Sequence, residues 1–108
     1  PYEWGDSEIV AYDQAPTPKS GKSIFEFLVY PKKAIEMKLE GKVFIKFFVD
    51  KKGKVRANSV QMIRGNPVFE ESAITAVEKS EWKPAMQRDM RVGVYMTVPV
   101  NFKLKDAQ

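Results

Sequence analysis

Neither cysteine nor histidine occurs among the 108 residues. Without thiols the chain can form no disulfide framework and no thiolate metal site. Without imidazole it lacks the usual general base and the commonest metal ligand. A Gly-rich phosphate loop is missing, and so is any pairing of nucleophile and base. Glu70 and Glu71 are neighbours on an expected helix, so their carboxylates diverge by about 100° and cannot act as a catalytic pair. These absences weigh against an enzyme and leave no cofactor or metal to expect. No apolar run approaches the roughly 20 residues that cross a bilayer, and no signal-peptide pattern opens the chain.

What is present describes one small folded unit. Hydrophobic residues make up 44% and charged residues 30%, a balance that supports a packed core and argues against disorder. The net charge of +4 favours solubility and does not by itself indicate nucleic acid. Lys42, Lys46, Lys51, Lys52, Lys54 and Arg56 concentrate charge on one hairpin, which reads as a solvated face. The interleaved "FIKFF" also suits single-stranded nucleic acid. An RNA-binding sheet, however, needs aromatics on two adjacent central strands, and the return strand has none. Nucleic acid is therefore not an expected partner.

Residues 1–22 show no sustained period and are set apart as an irregular N-terminal segment, with the domain proper at 23–105. Ser23 and Glu26 fit a capping box that opens a short helix, which Pro31 stops. A second helix starts at Pro31, buries Ala34, Ile35 and Leu39, and ends at Gly41. Val43, Ile45, Phe47 and Val49 then alternate as one face of a strand. The turn follows at Asp50–Gly53, with Gly53 available for positive φ. The return strand, about 55–63, changes phase near Asn58–Ser59, which predicts a bulge. Asn66, Pro67, Glu70 and Glu71 mark the start of a third helix. Its inward stripe is Phe69, Ala73, Ala76 and Val77, and Pro84 terminates it. Trp82 reads as core. In the last strand every even position from Val92 to Leu104 is apolar.

This order predicts an α+β domain with a three-stranded antiparallel sheet in the order 2-1-3. Two main helices pack on one face, beside a short extra N-terminal helix. The first strand belongs in the centre because it is the most apolar on both faces. Pro99 confines the last strand to an edge, its missing donor turned outward. Tyr95, Thr97 and Asn101 share its orientation, so their main-chain groups also face out. The stretch Arg91, Val92, Gly93, Val94, Tyr95, Met96 and Thr97 is thus a candidate for strand addition by a partner peptide. Cover by the N-terminal segment is the bland alternative, and pairing with a second copy would give a homodimer. Phe44 and Phe48, on the other face, are expected to pack under the N-terminal segment, where Tyr2, Trp4, Ile9 and Tyr12 offer partners. An exposed apolar patch is the alternative there.

Several of these residues form an ordered set: Tyr30-Pro31, Ala34, Glu40-Gly41, the alternation from Val43 to Val49, Asp50 with Gly53, Val55, and Trp82 with Pro84. Together with Val98–Leu104 they resemble the C-terminal domain of the TonB family, the energy transducers of Gram-negative bacteria. The stretch before Tyr30 is similar to the longer Bacteroidetes-type variant. Asp89 stands near a position where many members carry glycine, and aspartate tolerates the left-handed region. Residues 1–20 have no counterpart in the family.

The resemblance implies a periplasmic domain anchored to the inner membrane, with the membrane helix and Pro-rich linker expected upstream of Pro1. Through that missing region it would work with a proton-driven motor complex. Its implied partner is the TonB box of outer-membrane transporters, which adds as a strand beside the last strand and receives force. Leu28, Val29 and Tyr30 would approach the bound segment. A TonB- or TolA-like accessory module, serving a sensor or binding the cell wall, is the alternative.

Overall fold

A computed structural model describes residues 12–107; Tyr2, Trp4 and Ile9 lie outside them. Along the chain run β1 (Thr17–Pro18), α1 (Ile24–Phe27), α2 (Lys32–Glu36), β2 (Gly41–Val49) and β3 (Gln61–Arg64). Then follow α3 (Glu70–Lys79), β4 (Trp82–Lys83), β5 (Ala85–Gln87), β6 (Met90–Val92) and β7 (Val94–Phe102). The main sheet has the order β3-β2-β7, with both pairings antiparallel. This is the expected α+β arrangement, with the first long strand in the centre.

The core lies between this sheet and α3. Val43, Ile45, Phe47 and Val49 of β2 are fully buried, as are Phe69, Ala73, Ala76 and Val77. Asn66 starts the helical segment as its sequence suggests, its side chain accepting from the Val68 amide at 3.0 Å. Phe69 and Phe102 stack with centroids 4.3 Å apart. Tyr30 meets both rings edge-on, at 6.0 Å and 5.5 Å. That geometry favours the aromatic quadrupoles and fixes the entry to α2 against the end of the sheet.

The β2–β3 turn depends on two residues. The Asp50 Oδ1 accepts from the amides of Lys52 and Lys54, each at 2.9 Å. Gly53 adopts φ +84°, and a Cβ there would lie 1.9 Å from the Trp82 carbonyl oxygen. The Gly53 carbonyl in turn accepts from the Trp82 amide at 3.0 Å. Glycine is thus required both for its conformation and for the close approach.

Several local expectations give way to tertiary demands. The capping box does not form: Ser23 makes no side-chain cap bond, and its main-chain carbonyl accepts from Glu26 instead. The second helix is shorter than its apolar spacing suggests, and Ile35 is exposed. Lys38 ends it at φ +56°, with Leu39 N–H donating to Ala34 and Lys38 N–H to Ile35. That pair of bonds is a Schellman closure, so Gly41 is released into β2. The third helix stops at Ser80, four residues before Pro84 in sequence. Buried Ser80 donates its hydroxyl to the Val77 carbonyl at 2.6 Å and accepts from Trp82 Nε1 at 3.0 Å. The indole N–H is thereby satisfied inside the core.

The return strand is also shorter than expected, because a 3-10 turn at Ala57–Ser59 takes up the phase change. The final apolar run divides at Gly93. Val92 belongs to β6, which pairs with β5 across a two-residue turn. Arg88 and Asp89 of that turn both have positive φ, as a type I′ hairpin requires. The N-terminal segment contributes structure too. Gln14 and Met86 exchange main-chain bonds at 3.2 Å and 3.0 Å, β1 pairs with β4, and Asp13 accepts from the Arg88 amide at 2.8 Å. Glu81 lies near both Lys19 (3.9 Å) and Lys54 (3.4 Å).

Two predictions follow from this packing. Gly53→Ala should lose about 2–4 kcal/mol of unfolding free energy, read as a lower urea midpoint at unchanged slope. A loss below about 0.5 kcal/mol would show that the turn does not need the close approach to Trp82. The second concerns Tyr30, whose phenol pKa is raised by burial and by nearby Glu40. The folded chain then keeps a proton that the unfolded chain releases, so this contribution is complete below about pH 10 and declines above it. Tyr30→Phe should remove that part of the alkaline loss. It should also cost about 0.5–1.5 kcal/mol at neutral pH, because the O–H donated to the Leu39 carbonyl is gone.

Candidate functional site

β7 forms one edge of the main sheet, and among the described residues no strand pairs with its outer side. The direction of its main-chain groups can be read from its neighbour. The Phe48 amide donates to Ser59 Oγ at 2.9 Å, and the Phe48 carbonyl accepts from the Arg56 amide at 2.9 Å. Both groups therefore point away from β7. Tyr95 stands opposite Phe48, so its own N–H and C=O face outward. Thr97 and Asn101 share that orientation, and Pro99 between them, opposite Phe44, has no N–H to offer.

The seven residues singled out on this edge fall into two groups. Val94, Tyr95, Met96 and Thr97 lie on β7. Arg91 and Val92 lie on β6, opposite Met86 and Ala85, and Gly93 joins the two strands. The break at Gly93 was legible only as a glycine inside an apolar alternation, a common mark of close approach. The neighbour it admits is Phe48: a Cβ on Gly93 would lie 2.5 Å from the ring.

The second face of β2 is a set of paired rings and cations. Tyr95 meets Phe48 edge-on at 5.0 Å. The Arg56 guanidinium lies 4.2 Å from the Phe48 centroid, and Lys46 Nζ lies 5.1 Å from that of Tyr95. Each such contact is worth about 0.5–1 kcal/mol at an exposed site. Composition could not show this, because each cation meets a ring distant in sequence: Lys46 that of Tyr95, and Arg56 that of Phe48.

Leu28, Val29 and Tyr30 sit beside the far end of the same edge. Leu28 is half-buried against the core, and Val29 is 69% exposed. The Val29 carbonyl accepts from Ser72 Oγ. A pocket of about 420 Å³ brings these three together with Phe25, Ile35 and Asn101–Lys103 at the end of β7. Phe25 and Ile35 are exposed, and sequence reasoning did not place either at the site. Ile35 was missed because its helical spacing matched a core position.

Two solved structures share this fold. The C-terminal domain of TonB from Helicobacter pylori is 20% identical, covers 77% of this chain and 87% of its own, and superposes with a TM-score of 0.58. The corresponding domain of Pseudomonas aeruginosa TonB is 22% identical, covers 84% and 88%, and has a TM-score of 0.63. Identities this low speak for the fold alone. No curated protein sequence matches the chain. The family model for the Gram-negative bacterial TonB protein C-terminal matches residues 27–104, most of the 108 residues, from the residues before Tyr30-Pro31 to the end of the edge strand; the chain belongs to this family.

Proposed function

We propose that this domain captures the TonB box of an outer-membrane transporter by adding it as a strand along the outer side of β7. In the full-length protein it would pass force from an inner-membrane motor complex to the transporter, across the periplasm. The observation that carries this reading is the outward direction of the Tyr95 and Thr97 main-chain groups, which follows from the two bonds made by Phe48. A peptide strand would complete that ladder.

Magnitudes indicate what else is needed. About four to six main-chain bonds at roughly 0.5–1.5 kcal/mol each reach micromolar affinity only near the top of the range. Side-chain contacts must therefore contribute. The pocket formed by Phe25, Leu28, Val29 and Ile35 at the end of β7 offers an apolar seat in the right place. Tyr95 and Thr97 would give a shallower surface on the opposite face. Load applied along paired strands stresses several bonds at once, which suits a domain that pulls. A second copy pairing through the same edge would compete with the peptide.

The test is an amide NMR titration with a peptide spanning the TonB box of a transporter from the same genome. Shifts are expected on Val94–Thr97 and Leu28–Tyr30. Shifts confined to the turn at Lys51–Gly53, with β7 unmoved, would overturn the assignment. Thr97→Pro removes one outward donor and leaves the β2–β7 ladder intact. It should weaken the peptide about 2- to 12-fold, as one lost bond of roughly 0.5–1.5 kcal/mol requires, with little change in Tm. Unchanged affinity would move the docking surface elsewhere.

A further inference from the structure

A second surface lies on the helical side of the domain and meets the pocket at the end of β7 at Val29 and Tyr30. The segment before α2, α2 itself and the outer stripe of α3 enclose a groove of about 1020 Å³, at the upper limit of ordinary ligand sites of roughly 300–1,000 Å³. Val29, Met37, Leu39 and Val68 line it. Val29 and Met37 are 69% and 57% exposed, so apolar surface stays in contact with water. Lys32, Lys33 and Lys79 stand around the rim, and none of the three is ion-paired among the described residues. Glu71 is the one acid in the lining, which leaves the groove with a net positive charge.

Several acceptors of the walls are already engaged. The Val29 carbonyl is bonded to Ser72, the Tyr30 hydroxyl to the Leu39 carbonyl, and Asn66 Oδ1 to the Val68 amide. Pro31 and Pro67 contribute no N–H. An extended peptide laid here would find these acceptors taken, and each amide it left unpaired would cost about 1–3 kcal/mol. A hydrocarbon chain has no such groups to satisfy, and gains roughly 0.8 kcal/mol for each CH₂ removed from water.

We propose that this groove binds a free alkyl carboxylate of fatty-acid type, its chain laid over Val29, Met37, Leu39 and Val68 and its carboxylate held by Lys32 and Lys33. The lysine ammoniums in the lining supply the charge, and the apolar floor supplies the burial. The groove shares Val29 and Tyr30 with the pocket at the end of β7, so the responses of Met37, Val68 and Thr75, which line the groove and not that pocket, separate this proposal from peptide capture.

The experiment uses the 108-residue chain, methyl-labelled, titrated with decanoate below its micelle concentration and, separately, with decanol. Saturable shifts are expected at the methyl groups of Val29, Met37, Val68 and Thr75. Lys32→Gln with Lys33→Gln should weaken decanoate at least about fivefold and leave decanol unchanged, because only the charged headgroup loses its partners. Met37→Asp, at an exposed position that lines the groove and not the pocket at the end of β7, should abolish both. The proposal is overturned if the lysine variant binds decanoate as tightly as the parent chain. It also fails if shifts scatter equally over Phe25, Ile63 and Met90, as adsorption to any apolar surface would give. Absence of a saturable shift would overturn it too, and would favour an acidic amphipathic helix of a partner protein, which satisfies its own main chain.

Discussion

Phe48 directs both main-chain polar groups toward the segment Arg56–Ser59, and the character of the sheet edge depends on that choice. Strand geometry gives each residue one side for its N–H and C=O, and that side alternates. With Phe48 turned toward Ser59 Oγ and the Arg56 amide, Tyr95 must turn outward. The opposite parity would send the outward groups to Val94, Met96 and Val98, and would aim Pro99 inward at β2. A proline there would leave the Phe44 carbonyl without its donor, a loss of about 1–3 kcal/mol if buried. The 3-10 turn at Ala57–Ser59 therefore does more than absorb a phase change. It supplies the hydroxyl that holds the central strand in the register which opens the edge.

Arg56 acts twice at the same place. Its amide donates to the Phe48 carbonyl, and its guanidinium lies over the Phe48 ring. The ladder and the outer face of the sheet are thus tied by one residue. Phe48 is half-buried by side chains of its own sheet, with Tyr95 on one flank and the Gly93 backbone on another. A face built of rings and cations resists a second layer, since covering it would strip water from the charges. Among the described residues the buried core lies on the α3 side of the sheet, and the opposite face carries these rings and cations.

Most of this architecture was legible because its signals are local. The β2 alternation, the inward stripe of α3, Asn66 as a cap, Gly53 in the turn and Asp89 in a left-handed position each depend on residues close in sequence. The errors arise where distant partners decide. Lys38 takes a left-handed conformation at an intrinsic cost of about 1–2 kcal/mol, and the Leu39 carbonyl that follows receives the hydroxyl of Tyr30, whose ring meets the Phe69–Phe102 stack. Ser80 ends α3 because the indole of Trp82 needs its hydroxyl, and no helix-stop rule contains that contact. The pairing of residues 13–22 with 81–88 was invisible for a different reason: main-chain bonds carry no side-chain code. The candidate edge was visible through Pro99, whereas Phe25 and Ile35 beside it were not, since only the fold brings them to Asn101–Lys103.

That N-terminal pairing bears on how the edges of the molecule are managed. Exposed strand edges invite unwanted association, and proteins commonly cover or blunt them. Asp13–Gln14 and β1 cover the outer side of β5 and β4. β3, at one edge of the main sheet, is four residues long and ends in Arg64; a short edge strand offers little to pair with, and its charge adds to that protection. β7 is nine residues long and carries Pro99 as its one blunting residue. Had the arm simply been a device for hiding edges, β7 would be the strand most in need of it, since it presents the longest row of outward groups. Its described residues instead lie along β4 and β5, and none of them pairs with β7. An edge that no described residue pairs with, beside edges that are covered or shortened, accords with the strand addition proposed for it.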